Sequence, residues 1–448
     1  MSSDAKIDAL AAPKLRRALT VWDLVFYGLI VIQPTAPMPL FGVVSQEARG
    51  HVVTAILFAM VAMLLTAVSY GRMARVYPSA GSAYAYVRGE FGNFTGYLTG
   101  WSIVLDYLLN PLICTIWCSK ATANILPVPY FVLVMFFAVL FTLLNLRGIE
   151  ASAATNRWLA IAMSVVVVYT LLCMLRYVAG FGAVSPGSST RPFYDPATFS
   201  LPSVLTGTSI AALTYIGFDS ISTLSEEVVN PQRNILRATI FTCFLTGLFS
   251  AVEVYLGQLV WPDFHHYPDV DTAYSFIAGR AGGLILFHIV NATLLIASIG
   301  SGIGSQLGAA RLLYGMGRDN ALPSTFFGHL NQKTKVPDYN VLLGGAIAFI
   351  GAMLISYQLG AELLNFGAFL AFTGVNAATF MHYFVKGQNR HWTYLVLPLA
   401  GCAVCLYIWF SLRWQARLVG FSWLFAGAIY AFIRRRSLAK SPIIREVK

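Results

Sequence analysis

The stretch from Val52 to Tyr70 runs without one charged residue, and Phe131 to Leu146 and Ile161 to Leu175 are equally uncharged. A helix needs ~20 consecutive apolar residues to cross ~30 Å of hydrocarbon, where every backbone polar group must be satisfied inside the protein. Several such runs in one chain predict a bundle of membrane-spanning helices. Composition agrees: of 448 residues, 57% are hydrophobic and 11% charged, at a mean hydropathy of +0.67. A soluble domain carries about 25% charged residues. The first 20 residues are polar and basic with no apolar core, so no cleavable signal peptide is expected and the first span is expected to target the protein.

Segments rich in Pro, Gly and Ser or in charge divide the chain into twelve predicted spans, near 22–45, 52–71, 90–118, 129–146, 158–178, 203–227, 238–261, 284–312, 339–358, 362–385, 393–411 and 418–433. Residues 1–20 and 434–448 are expected as tails of a single transporter domain over 21–433. An even number of spans puts both termini on one side. With the termini inside, all 30 Lys and Arg residues face the cytoplasm except Arg49, Lys120, Arg176, Arg191, Arg280, Arg413 and Arg417. That is the positive-inside pattern of a bacterial inner (cytoplasmic) membrane protein. It accounts for the net charge of +11 through anionic lipid headgroups, with no nucleic acid partner. All six cysteines fall inside predicted spans; Cys402 and Cys405 form a CxxC, but with no His or second pair beside them they read as small buried hydrophobes. No metal site is expected, and no cofactor motif is visible.

Two spans break the helical pattern. Span 1 holds Gln33, Pro34, Thr35, Pro37 and Pro39, and three prolines within six residues cannot sit in an unbroken helix. Span 6 places Gly217 and Asp219 at mid-depth, beside Tyr215 and Phe218. The two spans are five apart. Interrupted helices at corresponding positions of two halves point to inverted repeats, here about 21–178 and 203–385, with two extra helices over 393–433 and solute bound at the breaks.

Ionisable groups at membrane depth are costly and usually functional. Asp106 in span 3 is a candidate counter-charge for an ammonium group or a proton carrier; the alternative is a hydrogen bond to a neighbouring helix. Asp219 either meets substrate or caps free amide groups of the second half-helix. Glu253 in span 7 is a candidate for coupling or for the outer vestibule. Glu226 and Glu227, ahead of Arg233, read as an inner gate or as a solvated helix end. Tyr107, Tyr215 and Phe218 stand beside the carboxylates and are candidates to close over an amine, a contact worth ~2 kcal/mol when desolvated. Asn365 in span 10 either lines the pathway or joins helices. Ser298 and Ser301 in span 8 are either sodium ligands or small packing residues. Proton coupling through Asp106 or Glu253 is preferred over sodium.

The chain resembles the amino acid–polyamine–organocation superfamily from about Val21 to Phe432, and within it the bacterial putrescine importers. The resemblance rests on Gln33-Pro34 with Phe41-Gly42; on Ser69-Tyr70-Gly71 and Tyr77-Pro78-Ser79-Ala80-Gly81-Ser82; and on Leu105-Asp106-Tyr107-Leu108. It continues through Gly217-Phe218-Asp219 to Glu226-Glu227, Ala310-Arg311-Leu312-Leu313-Tyr314 and Asn365-Phe366-Gly367-Ala368. It implies a LeuT-like 5+5 inverted repeat, alternating access, and import of a small amine or, alternatively, an amino acid. One departure stands out: the importer pattern carries a carboxylate a few residues after Gln-Pro, where this chain reads Met38-Pro39-Leu40, which weakens the case for a dication. Amino acid transporters of this fold use glycines at the span 1 break, so that free amide groups receive the substrate carboxylate. Pro34, Pro37 and Pro39 lack that N–H, and Gln33 and Thr35 are expected to offer the solute polar side chains instead, which favours a substrate without a carboxylate. No HExxH, GxSxG or paired intramembrane Asp motif supports an enzyme. A sensor would usually carry a signalling domain, for which the tails leave no room.

Overall fold

The computed structural model describes residues 19–77, 82–147, 153–180, 189–224, 228–318, 322–334, 336–387 and 390–433. Glu226 and Glu227 lie outside the described residues. Helix α1 spans Val21–Ile32 and opens on a capping box, in which Thr20 and Asp23 each satisfy the other's backbone N–H. It stops at Gln33 because Pro34 follows and cannot donate. The chain resumes as α2 (Phe41–Glu47), then α3 (Val52–Val76), α4 (Ser82–Phe91), α5 (Asn93–Ala123), α6 (Tyr130–Leu146) and α7 (Ala153–Gly180). After α8 (Leu201–Ala211) come two 3₁₀ segments, Ala212–Tyr215 and Phe218–Leu224. The remainder is α9 (Pro231–Val260), α10 (Ala273–Arg318), the single turn α11 (Ser324–Phe327), α12 (Asp338–Leu354), α13 (Tyr357–Phe380) with a π turn to Val385, α14 (Thr393–Phe410) and α15 (Trp414–Ile433).

Among the described residues, nine helical segments are long and apolar enough to cross a membrane, and α1, α6 and α12 are shorter apolar helices. The structure is all-α, with no named strand among those residues. Two boundaries differ from the sequence reading. Span 3 was expected from residue 90, but Gly92 at φ 91 ends the short helix α4, and the long helix begins at Asn93. Span 8 runs on past its expected end to Arg318, and at its start non-helical Gly283 (φ 77) parts it from a separate helix that begins at Ala273.

Helix α5 is the central column: α10, α13, α6 and α12 all pack on it, while α9 packs along α3. Apolar association between helices in lipid comes from close packing rather than from water exclusion, and the polar ties show where position matters. Trp101 of α5 and Trp423 of α15 stack at 4.5 Å, and each indole N–H donates to the other's backbone carbonyl, at 2.9 and 3.1 Å. This reciprocal clasp fixes the last helix to the central column.

Candidate functional site at the helix breaks

The first break is built by proline and closed by turns. Gln33 takes φ 73 and ψ 137, and the amides of Ala36, Met38 and Phe41 donate to the carbonyls of Gln33, Thr35 and Met38. Pro34, Pro37 and Pro39 have no amide to offer. Thr35 is 2% exposed and packed inside the break rather than lining an open surface. The Gln33 side chain leaves the break altogether, its amide donating to the Ala297 carbonyl of α10 at 3.4 Å.

The second break is held from three sides. Ile216 is extended and Gly217 sits at φ 118, a conformation open to glycine and rare for other residues. Asn365 of α13 is fully buried and donates to the Ser209 and Ile210 carbonyls, at 2.6 and 3.2 Å, where α8 gives way to the 3₁₀ segment. The Tyr215 hydroxyl donates to the Ile56 carbonyl of α3 at 2.9 Å. Phe218 is buried edge-on to Tyr70 at 5.4 Å and against Phe372 at 5.5 Å. Asn365, Tyr215 and Phe218 thus support the break rather than present free surface to a solute.

Asp106, Tyr107 and Asp219 are the site residues that the structure brings together with accessible surface. Asp106 and Asp219 are partly exposed, and their charges lie within reach of one another. Tyr107 is 40% exposed and within reach of both. No cationic side chain acts on either carboxylate among the described residues. The Asp219 carboxylate lies near the backbone amides of Gly217 and its own residue, while the Ser220 amide closes a turn onto the Gly217 carbonyl at 3.1 Å. Three groups missed in the sequence complete the surroundings: Tyr70 and Tyr86, whose hydroxyls lie near Asp219, and Gly308 of α10, against which the Tyr107 ring packs. Tyr70 fell inside a quoted motif; nothing in the sequence marked Tyr86 or Gly308.

The two ends of this region differ. On the α2 side a Cβ at Gly42 would run into the Val270 carbonyl, and Phe41 meets Tyr274 at 5.6 Å and Tyr267 at 6.3 Å, edge-on to both. Tyr267 in turn donates to the Ser45 hydroxyl at 3.0 Å. That side is sealed by aromatic packing. On the α1 side of the break, Val31 near the end of α1, Tyr107 and Gly304 are exposed. Glu253 lies behind the sealed side: it is 1% exposed, one carboxylate oxygen has no partner, and Tyr274 donates to its backbone carbonyl at 3.3 Å. It stands apart from the carboxylate pair. Ser298 is partly exposed in α10, and Ser301 donates to the Asn110 side chain at 3.5 Å, turned to α5 rather than to the first break.

Two interrupted helices around accessible carboxylates define a class, the membrane transporter with a broken-helix site. Comparison with known proteins agrees. The amino acid permease family model matches residues 25–432. Over 431 residues the chain is 34% identical to the low-affinity putrescine importer PlaP of Escherichia coli (strain K12), covering 93% of each chain. It is 25% identical to the methylthioribose transporter of Bacillus subtilis (strain 168), covering 97% of this chain and 96% of that one. To the branched-chain amino acid permease BcaP of Lactococcus lactis the identity is 26%, covering 94% and 95%. The chain belongs to the amino acid permease family; it is a multi-pass membrane transporter and not an enzyme.

Proposed function

We propose that this protein imports putrescine or a related small polyamine across a bacterial cytoplasmic membrane by alternating access. In this reading the nine long segments and three shorter apolar helices make twelve spans, both termini are cytoplasmic, and spans 1–5 and 6–10 form inverted repeats. The conformation described then faces inward, since the sealed α2 side is the outer one.

One observation carries the choice of an amine. Asp106 and Asp219 put two carboxylates at the breaks with no cationic partner among the described residues. The amide groups that would receive a substrate carboxylate are meanwhile used: three at the first break close turns, and at the second the Ser220 amide closes a turn while those of Gly217 and Asp219 lie beside the Asp219 carboxylate. An α-amino acid would bring a negative charge to a site that already has two. A diamine would bring the missing cations, its ammonium groups meeting Asp106 and Asp219 with the Tyr107 ring beside them. The absent carboxylate at Met38-Pro39-Leu40 is offset in this account by the pair across the site. Coupling to protons through Asp106 or Glu253 is part of the proposal. The amino acid alternative draws on the permease among the relatives.

Uptake of radiolabelled putrescine into proteoliposomes tests the reading. Saturable uptake is expected, blocked by diamines, accompanied by proton entry and reduced roughly a hundredfold in Asp106→Asn, the loss expected when one member of a desolvated charge pair is removed, about 3 kcal/mol. Transport of an α-amino acid in preference to its decarboxylated amine would overturn it.

A further inference from the structure

We propose that an apolar groove between α4, α5, α13 and α15 binds an anionic phospholipid of the cytoplasmic leaflet, with an acyl chain in the groove and the phosphate at the start of α5. The inference rests on the orientation given above, in which α5 starts at the cytoplasmic surface, and adds a site that recognition of an amine does not require.

The groove has a volume of about 840 Å³, within the ~300–1,000 Å³ of small-ligand sites. Its walls include Phe91, Leu98, Leu370, Gly374, Phe421 and Phe425, and the rings of Phe91, Phe421 and Phe425 are exposed. Such walls offer water few partners, and at membrane depth the apolar molecule at hand is a lipid chain. The length fits one chain of one leaflet. The α15 residues that line the groove run from Leu418 to Ala428, a rise of ~15 Å, which is half of the ~30 Å hydrocarbon thickness. The mouth is what selects a charged lipid. Thr95, in the first turn of α5, lines the groove. The amides of Asn93, Phe94 and Thr95 are left free there, because helical bonding starts at Gly96 and the capping residue Gly92 has no side chain. Anions are favoured at such a helix start. Arg88 of α4 stands beside it. Its guanidinium donates to Asn93 Oδ1 at 2.8 Å and to the Tyr84 hydroxyl at 3.1 Å, both neutral, and pairs with no carboxylate among the described residues. The acid two positions on, Glu90, is taken by Lys386 and His382. A phosphate at this mouth therefore meets free donors and an uncompensated cation. The site also reaches the transport machinery. Val87 of α4 shares the groove wall, and Ser82 of the same helix meets the Ser222 hydroxyl beyond the second break at 3.1 Å. A lipid that steadies α4 steadies that break.

Lipid-stripped full-length protein in detergent tests this, by thermal midpoint and native mass spectrometry with phosphatidylglycerol, phosphatidylcholine or inorganic phosphate. Phosphatidylglycerol is expected to bind about fivefold tighter than phosphatidylcholine, the gain from one cation near the headgroup, and inorganic phosphate to leave the midpoint unmoved. Arg88→Gln is expected to abolish the preference and Arg88→Lys to keep it, which separates a lost charge from a disturbed α4. Ala428→Trp fills the groove and is expected to lose both lipids. In proteoliposomes, putrescine uptake is expected to rise severalfold when phosphatidylglycerol is added to phosphatidylcholine, and Arg88→Gln to lose that rise. The inference is overturned by equal binding of the two lipids to the wild-type protein, by a midpoint shift with inorganic phosphate alone, or by an Ala428→Trp protein that binds lipid as wild type does. An Ala428→Trp protein that passes from dimer to monomer with its lipid binding unchanged would overturn it too, by giving the groove to a second copy of the chain. The binding readout needs neither substrate nor gradient, so its failure is distinct from failure of the amine assignment.

Discussion

The two broken helices solve one problem by opposite means. At the first break the sequence removes amides: three prolines, three turn-closing hydrogen bonds and one outgoing glutamine leave a neutral joint. At the second, glycine lets the chain turn, and the exposed backbone is satisfied by side chains from elsewhere. Asn365 serves the carbonyls, Asp219 serves the amides, and Tyr215 ties the joint to α3. One joint is self-contained and uncharged, and the other is negative and dependent on its neighbours. Under the proposed function, the carboxylate that selects the solute sits on the joint that more of the protein holds in place.

That contrast is most exposed to test at Asp219. Asp219→Ala would empty the amide cluster of its internal anion and leave Asp106 as the lone carboxylate. Diamine uptake is expected to fall roughly a hundredfold, by about 3 kcal/mol for a lost charge partner. α-Amino acids, which the proposed function expects the wild-type protein to exclude, are expected to become competitors because the freed amides can receive a carboxylate. Competition binding with both ligand classes measures the exchange. Unchanged selectivity would show that Asp219 is only a cap.

A smaller effect is expected from the support around the same joint. Asn365→Ala takes the side-chain donor from the Ser209 carbonyl, and one of two donors from that of Ile210, in a buried setting, which costs about 2 kcal/mol. The thermal midpoint should drop, and substrate at saturating concentration should recover part of the loss. Gly217→Ala comes next. Its φ of 118 becomes strained with any Cβ, at about 1–2 kcal/mol. Gln33→Gly at the other break relaxes a strained position, so the two substitutions should move stability in opposite directions. Equal signs would mean that the breaks are not the contrasting joints described.

Most of the fold was legible because lipid is a demanding solvent. An uncharged run such as Val52–Tyr70 has few alternatives, and three clustered prolines mark a break directly. The candidate site was legible where a residue was chemically out of place, as with Asp106, Asp219 and Gly217. Side-chain direction was not legible. Asn365 was read as lining the pathway or joining helices and Tyr215 as closing over an amine, and in the structure both donate to backbone, while Thr35 is packed in the break; sequence gives polarity and depth but not which way a side chain leaves its helix. Tyr86 and Gly308 were missed for a related reason, since a tyrosine or glycine in such a span is unremarkable until its neighbour across the site is known.

The smallest expected effect concerns a support of the second break that lies outside the spans. Helix α4 touches the 3₁₀ segment after Gly217, where the Ser82 and Ser222 hydroxyls meet at 3.1 Å. Its far end is fastened to the end of α13 by Glu90, which receives Lys386 at 2.8 Å, His382 at 2.7 Å and Tyr77 at 2.9 Å. Burial alone would raise the Glu90 carboxyl, but Lys386, Tyr77 and His382 outweigh it and hold the group below its ordinary value of 4.5. A depressed carboxyl contributes stability that is fully present above the ordinary value and is lost as pH falls through the folded one. The wild-type midpoint should therefore be steady near neutrality and decline in acid below that value. Glu90→Gln, which keeps the shape but not the charge, should lower the midpoint near neutrality and flatten the acid decline. If the first break is self-contained, the same variant should leave the stability change of Gln33→Gly untouched while weakening substrate protection at the second; a change at both would make the two joints one mechanical unit.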